Sequence, residues 1–252
     1  MIYCDILNLD ALDIYLGKDI NLSESKQREL ENIIDRLRNN EPIQYIRGIA
    51  EFCGRIFQVG PGVLIPRPET SELVDLIVKE ASGSACILDI GTGSGCIAIS
   101  LDKKMAKADV TAWDISEDAL GIARYNNKEL KAKVKFVRQD VFSESISYTD
   151  RYDIIVSNPP YIMESEKQQM KPNVLNWEPE IALFVPDDEP LRFYCRIAEV
   201  GQKILKPNGR LYLEINQLCG DEVAHMLVEN GYRNIRVIKD FFKNDRIVTA
   251  DK

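Results

Sequence analysis

The chain has 252 residues, 45% of them hydrophobic and 29% charged, which suits one ordinary globular α/β domain with a small appendage and a full buried core. Its formal charge of -8, with no run of Lys and Arg, weighs against a nucleic-acid partner. Six cysteines, at 4, 53, 86, 96, 195 and 219, include no C-x-x-C pair and no zinc spacing, so they read as reduced cytosolic thiols and no metal site is expected.

At the N-terminus Asp5, Asp10 and Asp13 stand where a signal peptide needs a basic start and an apolar core. No stretch approaches the roughly 20 apolar residues of a membrane helix, so a cytoplasmic location without membrane contact is expected. Residues 1 to about 40 read as helical. Within 23–39, Leu30, Ile33, Ile34 and Leu37 recur at helical spacing, Ser23 and Glu24 cap the start, and Asn39, Asn40 and Pro42 stop it. From Glu41 to Pro68 the glycines and prolines around short apolar pieces such as Arg55 to Val59 predict a hairpin or connector and no helix.

Beyond Glu69 helices and strands alternate. Helices are predicted over 69–81, 95–104, 117–130, 191–205 and 221–230, and strands over 86–90, 109–113, 134–138, 152–156 and 209–215, with two closing strands near Ile235 and Ile247. This order predicts a doubly wound, mostly parallel, seven-stranded Rossmann-like sheet with an antiparallel C-terminal edge.

The first strand ends in Leu88-Asp89-Ile90-Gly91-Thr92-Gly93-Ser94-Gly95-Cys96. Glycines at alternate positions let the backbone turn sharply and approach a ligand, with the next helix aimed at it. A dinucleotide loop would want a glycine where Cys96 stands; the G-x-G-x-G spacing resembles instead the nucleoside loop of S-adenosylmethionine-dependent methyltransferases. Asp114, ending the second strand, is placed to accept hydrogen bonds from ribose hydroxyls, or simply to cap the helix that begins nearby. After the third strand, Asp140 and Val141 are placed to meet an adenine.

The fourth strand ends in Ser157-Asn158-Pro159-Pro160-Tyr161-Ile162, and it should neighbour the first, so both loops would face one crevice. A sulfonium methyl is already electrophilic, and the enzyme's task is to align a nucleophile. The Asn158 side-chain carbonyl and the Pro159 main-chain carbonyl could each accept one hydrogen of a planar NH₂ group, with Tyr161 stacked on it. Proline has no N–H to compete and a fixed φ. No histidine base is required, and the one histidine, His225, falls in a distant helix as a surface or packing residue. Glutamine and adenine both fit this geometry.

The sequence resembles the release-factor glutamine methyltransferase family. The matching stretches are Glu41 to Gly48, Phe52 with Gly54, Leu64-Ile65-Pro66-Arg67-Pro68-Glu69-Thr70, Leu88 to Gly95, Asn158 to Ile162, Glu178-Pro179 with Ala182-Leu183, and Asp240 to Val248. The resemblance implies methyl transfer from S-adenosyl-L-methionine to the side-chain amide of the glutamine in the Gly-Gly-Gln motif of peptide chain release factors. It places Gly91, Thr92, Gly93, Ser94, Gly95, Asp114, Asp140, Val141 and Asn158 at the cofactor, and Arg67, Glu69 and Thr70 beside its methionine end. Asn158, Pro159, Pro160 and Tyr161 meet the glutamine. Three regions follow: 1–48, an N-terminal helical docking domain; 49–68, the hairpin connector; and 69–252, the methyltransferase domain. A monomer is expected. Two departures stand out: the leading helical segment is shorter than the family's usual one, and Glu214-Ile215-Asn216-Gln217 differs from the family's pattern after the fifth strand.

The closest alternative is methylation of a ribosomal-protein glutamine in the same pocket. Adenine methylation in DNA or RNA is disfavoured by the acidic balance and the lack of a sizeable target-reading domain. A non-catalytic cofactor-binding partner is disfavoured by the intact Asn-Pro-Pro-Tyr.

Overall fold

The computed structural model describes residues 22–81, 84–147 and 151–252, together with residues 10, 12, 15 and 16. The expected helical character of the first 21 residues, apart from those four positions, and the expected shortening of that segment lie outside the described residues, as does Cys4.

The first long helix, α1 (Glu24–Arg38), starts and stops where its caps predict: the Ser23 hydroxyl accepts the Lys26 N–H at 3.4 Å, Glu24 lies in the first turn and Arg36 and Arg38 in the last. The stretch from Glu41 to Pro68 corrects one expectation. It contains a short helix, α2 (Ile43–Arg47), entered from Pro42 and ended by Gly48 at φ 71°. Five residues are too few to display helical periodicity, and tertiary contact decides the matter. Tyr45 is buried and its hydroxyl donates to the Val63 carbonyl at 2.6 Å. The hairpin itself is present, as β1 (Ile49–Phe52) and β2 (Arg55–Gln58), turned by Cys53 and Gly54, both with positive φ.

Seven strands form the central sheet: β3 (Cys86–Ile90), β4 (Asp109–Asp114), β5 (Lys135–Arg138), β6 (Tyr152–Ser157), β9 (Leu205–Glu214), β10 (Arg233–Lys239) and β11 (Asp245–Asp251). Their spatial order is β10-β11-β9-β6-β3-β4-β5. The chain moves outward from β3 through β4 to β5, then returns to lay β6 on the other side of β3, which makes the β3/β6 boundary the switch point. The final strand, β11, is inserted between β9 and β10, antiparallel to both. Burial explains the order: Ile247, Val248, Thr249 and Ala250 are all buried, whereas the edge strand β10 is mostly exposed or half-buried.

Helices α3 (Pro68–Glu80), α4 (Cys96–Lys104), α5 (Glu117–Glu129), α7 (Arg192–Ile204) and α8 (Gly220–Glu229) cover the sheet. Successive residues of the central strands feed opposite cores. Ile87 and Ile154 join Leu73, Ile77 and Ile99 on one face, and Leu88 and Ile155 join Ile197, Leu213 and Leu227 on the other. Predicted boundaries agree to within a residue or two except at β9, which begins at Leu205 and not at Gly209. Leu205 pairs with Tyr152, and an irregularity before Arg210 then shifts the register, so that Arg210 pairs with Ile154. Between Tyr161 and Leu191 the chain adds a small parallel pair, β7 (Ile162–Met163) with β8 (Phe184–Val185), and a short helix, α6 (Pro172–Leu175), for which the sequence offers no periodic signal.

Candidate active site

The loop between β3 and α4 is built by its backbone. Gly91, Gly93 and Gly95 have φ of 76°, 55° and 80°, a region that L side chains rarely adopt. The N–H groups of Gly91 and Thr92 both donate to the Trp113 carbonyl, tying the loop to the end of β4. A Cβ added at Gly91 or Gly93 would meet nothing within 4 Å, so these two present bare backbone to open space. Gly95 differs: its Cβ would stand 3.0 Å from Ile99 and 3.2 Å from Ala123, so it is required for helix packing. Beneath the loop Asp89 is fully buried and accepts the Thr92 hydroxyl at 2.7 Å; burial pushes its carboxyl up to about 7.

Asp114 accepts the Gly93 N–H at 2.8 Å and the Ser116 N–H at 2.9 Å, and burial raises its pKa. The capping role belongs to Ser116, whose hydroxyl accepts the Ala119 N–H, so Asp114 is an organiser of the loop as well as a cavity wall. Asp140 spends one oxygen on the Phe142 N–H at 2.8 Å, shaping the turn that sets Val141 in the same wall.

At the switch point the end of β6 is fixed to the end of β3 by the Ser157 hydroxyl, which donates to the Ile90 carbonyl at 2.6 Å. Asn158 and Pro159 then stand where two cavities meet. The larger, about 480 Å³, is lined by the glycine loop, Asp114, Asp140, Val141, Arg67 and Thr70. The smaller, about 270 Å³, is lined by Leu64, Tyr161, Met170, Lys171 and Val174, and Asn158, Pro159 and Arg67 line both. Pro160 borders the larger cavity only. The Asn158 amide nitrogen donates to the Thr70 hydroxyl oxygen at 3.4 Å, which leaves its Oδ1 as the atom available to the cavities.

Of the residues singled out in the sequence, Glu69 and Gly95 do not line either cavity, and Tyr161 lines only the smaller one. The remainder come together. Two further side chains matter that were not singled out as site residues. Glu178 is buried and accepts the Ile65 N–H at 3.0 Å and the Arg67 guanidinium at 2.6 Å, which fixes the segment leading into α3. Glu214 is fully buried at the end of β9 and accepts the hydroxyls of Thr70 at 2.7 Å and Tyr161 at 3.3 Å. A carboxylate closing the apolar run Leu211-Tyr212-Leu213 was the available signal for Glu214. Glu178 was visible only as part of a motif. Phe142 and Phe193, edge to face with centroids 5.1 Å apart, add an aromatic wall beside Val141.

The cavity fits a nucleoside-bearing cofactor: bare glycine backbone, a carboxylate at the second strand end and an apolar, aromatic pocket beyond the third are convergent around one volume. The sequence matches the family described as Methyltransferase small domain over residues 69–176 and the family described as PrmC N-terminal domain over residues 1–48. It is 66% identical over 252 residues to the release factor glutamine methyltransferase of Bacteroides thetaiotaomicron, covering 100% of this chain and 91% of that one. To the enzyme of the same name from Flavobacterium psychrophilum it is 41% identical over 248 residues, covering 96% and 87%. A solved methyltransferase from Pyrococcus furiosus shares the fold, with a TM-score of 0.60 at 19% identity over 88% of this chain and 98% of that one. With such identity sustained along its whole length, the chain belongs to the release factor glutamine methyltransferase family.

Proposed function

We propose that the protein transfers a methyl group from S-adenosyl-L-methionine to the side-chain amide nitrogen of the glutamine in the Gly-Gly-Gln motif of peptide chain release factors. The observation that carries this reading is the position of Asn158 and Pro159 at the junction of the two cavities, with the glycine loop on one side and an open, mostly apolar channel on the other.

When bound, S-adenosyl-L-methionine supplies an electrophilic sulfonium methyl. Gly91 to Ser94, Asp114, Asp140 and Val141 hold its nucleoside and the Arg67 to Thr70 segment its methionine end; Gly95 serves through helix packing. The glutamine side chain enters through the smaller cavity between Leu64, Tyr161 and Val174. Asn158 Oδ1 and the Pro159 carbonyl each accept one amide hydrogen, which orients the nitrogen and stabilises the positive charge that develops there. Proline at 159 and 160 restricts the backbone on both sides of the Pro159 carbonyl and so fixes its direction. Among the described residues lining the smaller cavity there is no carboxylate or histidine, so the released proton passes to water. Residues 1–48 serve as the docking domain, 49–68 as the hairpin connector and 69–252 as the catalytic domain. A monomer in the cytoplasm suits a release-factor substrate. Among the described residues no helix is long and apolar enough to cross a membrane.

The test is a panel of acceptors offered with methyl-labelled cofactor: a release factor, its Gln-to-Ala variant in Gly-Gly-Gln, ribosomal proteins and adenine-containing DNA. Label on the intact factor alone is expected. Label on the variant factor, on a ribosomal protein alone or on DNA alone would contradict the assignment.

A further inference from the structure

The amide of Asn158 has two ends of opposite hydrogen-bonding character, and only one of them suits an NH₂ acceptor. If its Nδ2 faced the substrate, donor would meet donor. Something must hold Oδ1 toward the cavities.

Behind Asn158 lies a short chain of polar groups in an otherwise apolar setting. Glu214 shows no solvent-accessible surface, and its ion-pair partners among the described residues are none. It holds the Thr70 hydroxyl at 2.7 Å on Oε2 and the Tyr161 hydroxyl at 3.3 Å on Oε1. The Tyr194 hydroxyl, at 3.3 Å, donates to its main-chain carbonyl. In its ionised form the Glu214 carboxylate has no proton to give, and the Thr70 and Tyr161 hydroxyls then donate to it. Once the Thr70 proton points at Glu214, the oxygen of Thr70 can only accept from its other neighbour, the Asn158 amide 3.4 Å away. The neighbour must therefore be Nδ2, and Oδ1 is left for the substrate.

We propose that Glu214, acting through Thr70, is a positioning residue that sets the polarity of the Asn158 side chain. It makes no contact with substrate or cofactor. The inference rests on the role given to Asn158 above. A second consequence falls on Tyr161: its hydroxyl is committed inward to the same carboxylate, so only its ring is offered to the smaller cavity.

The relay requires the charged form of Glu214. Protonated, Glu214 could donate to Thr70, free the Thr70 proton for Asn158 Oδ1, and permit the inverted amide. The groups that face it are Glu69 and Thr70 from α3, Tyr161 from the segment after β6, Tyr194 from α7 and Arg246 from β11. Burial raises the pKa of Glu214, while the Thr70 hydrogen bond and the Arg246 charge oppose that rise. Turnover should therefore fall on the acid side as Glu214 takes up a proton.

Three variants test this: Thr70→Val, which keeps the shape and removes the relay; Thr70→Ser, which keeps the hydroxyl; and Glu214→Gln, whose amide can either donate or accept. Loss of one relay hydrogen bond, at about 1.4 kcal/mol, predicts kcat lowered about tenfold in Thr70→Val and Glu214→Gln. Cofactor affinity by calorimetry should stay within about twofold in Glu214→Gln, whose side chain lines neither cavity, and Thr70→Ser should restore most of kcat. The acid limb of the kcat profile should be lost in Glu214→Gln. Equal kcat in wild type, Thr70→Val and Glu214→Gln, with Asn158→Ala inactive, would overturn the relay and leave the role of Asn158 standing. A fully active Asn158→Ala would instead remove the reading on which the relay depends. Cofactor affinity that falls in step with kcat in Glu214→Gln would also overturn it, since the carboxylate would then serve the cofactor site rather than Asn158.

Discussion

The two sides of the crevice are made in different ways. The glycine-loop side is built mostly from local main chain: within Gly91 to Gly95 the positive φ angles and the bare backbone facing the cavity follow from five consecutive residues, with two N–H groups tying the loop to Trp113. The acceptor side is non-local and built from side chains. Thr70, Asn158 with Tyr161, and Glu214 come from three separate segments, and Glu178 reaches back to Ile65 and Arg67. A local backbone device tolerates changes of side chain but not the addition of a Cβ. A buried polar network tolerates neither a missing partner nor a reversed dipole.

The comparison predicts opposite sensitivities. Asn158→Ala should lower kcat by about 10²–10³-fold, the scale of losing one aligned acceptor in the transition state, while cofactor affinity and thermal unfolding stay close to wild type. Binding by calorimetry and single-turnover methyl transfer would separate the two. Unchanged turnover would remove Asn158 from its role.

On the loop side the largest expected effect is on stability and its pH dependence. Asp89 has its carboxyl raised to about 7 from 3.8 by burial, so the folded state holds a proton that the unfolded chain releases. That contribution is complete below about pH 4 and is lost as pH rises through about 7. Asp89→Asn keeps an oxygen for Thr92 and cannot ionise. It should flatten the decline, with a gain of about 2–4 kcal/mol over wild type at pH 8 in denaturant titrations made without added ligand. A wild-type stability equal at pH 5 and pH 8 would contradict this.

Gly95→Ala should cost about 1–3 kcal/mol of stability, from the left-handed backbone and the contacts to Ile99 and Ala123, and should weaken cofactor binding together with it. A loss of turnover with normal cofactor affinity would blur the distinction between the two sides. The smallest effect belongs to His225, exposed on α8 beside Glu229 at 3.4 Å: His225→Ala should stay within about 0.5 kcal/mol and leave the pH profile of turnover unchanged.

The same contrast explains how much was legible in advance. The strand and helix order, the switch point and the cavity walls at Gly91, Asp114 and Val141 follow from short-range patterns, because periodicity and glycine spacing are properties of neighbouring residues. The helix Ile43–Arg47 was missed because five residues carry no period and its stability comes from burying Tyr45. The inward placement of β11 depends on which of two closing strands is the more apolar over its full length, a comparison rather than a motif. The family resemblance places Glu69 at the cofactor with Arg67 and Thr70, yet in the first turn of α3 adjacent residues diverge, and of these three only Arg67 and Thr70 reach the wall. Glu214 stood in plain sight as a departure from a pattern, and its meaning emerged only when Thr70, far away in sequence, was found against it.

The most direct test of the account is to locate the methyl group. A release factor incubated with the wild-type enzyme and cofactor, then digested and fragmented in a mass spectrometer, should carry one added methyl on the glutamine side chain of Gly-Gly-Gln. The same factor incubated with Asn158→Ala should carry almost none. A methyl group on any other residue, or an equal yield from the two enzymes, would contradict the claim that Asn158 and Pro159 present that amide for methylation.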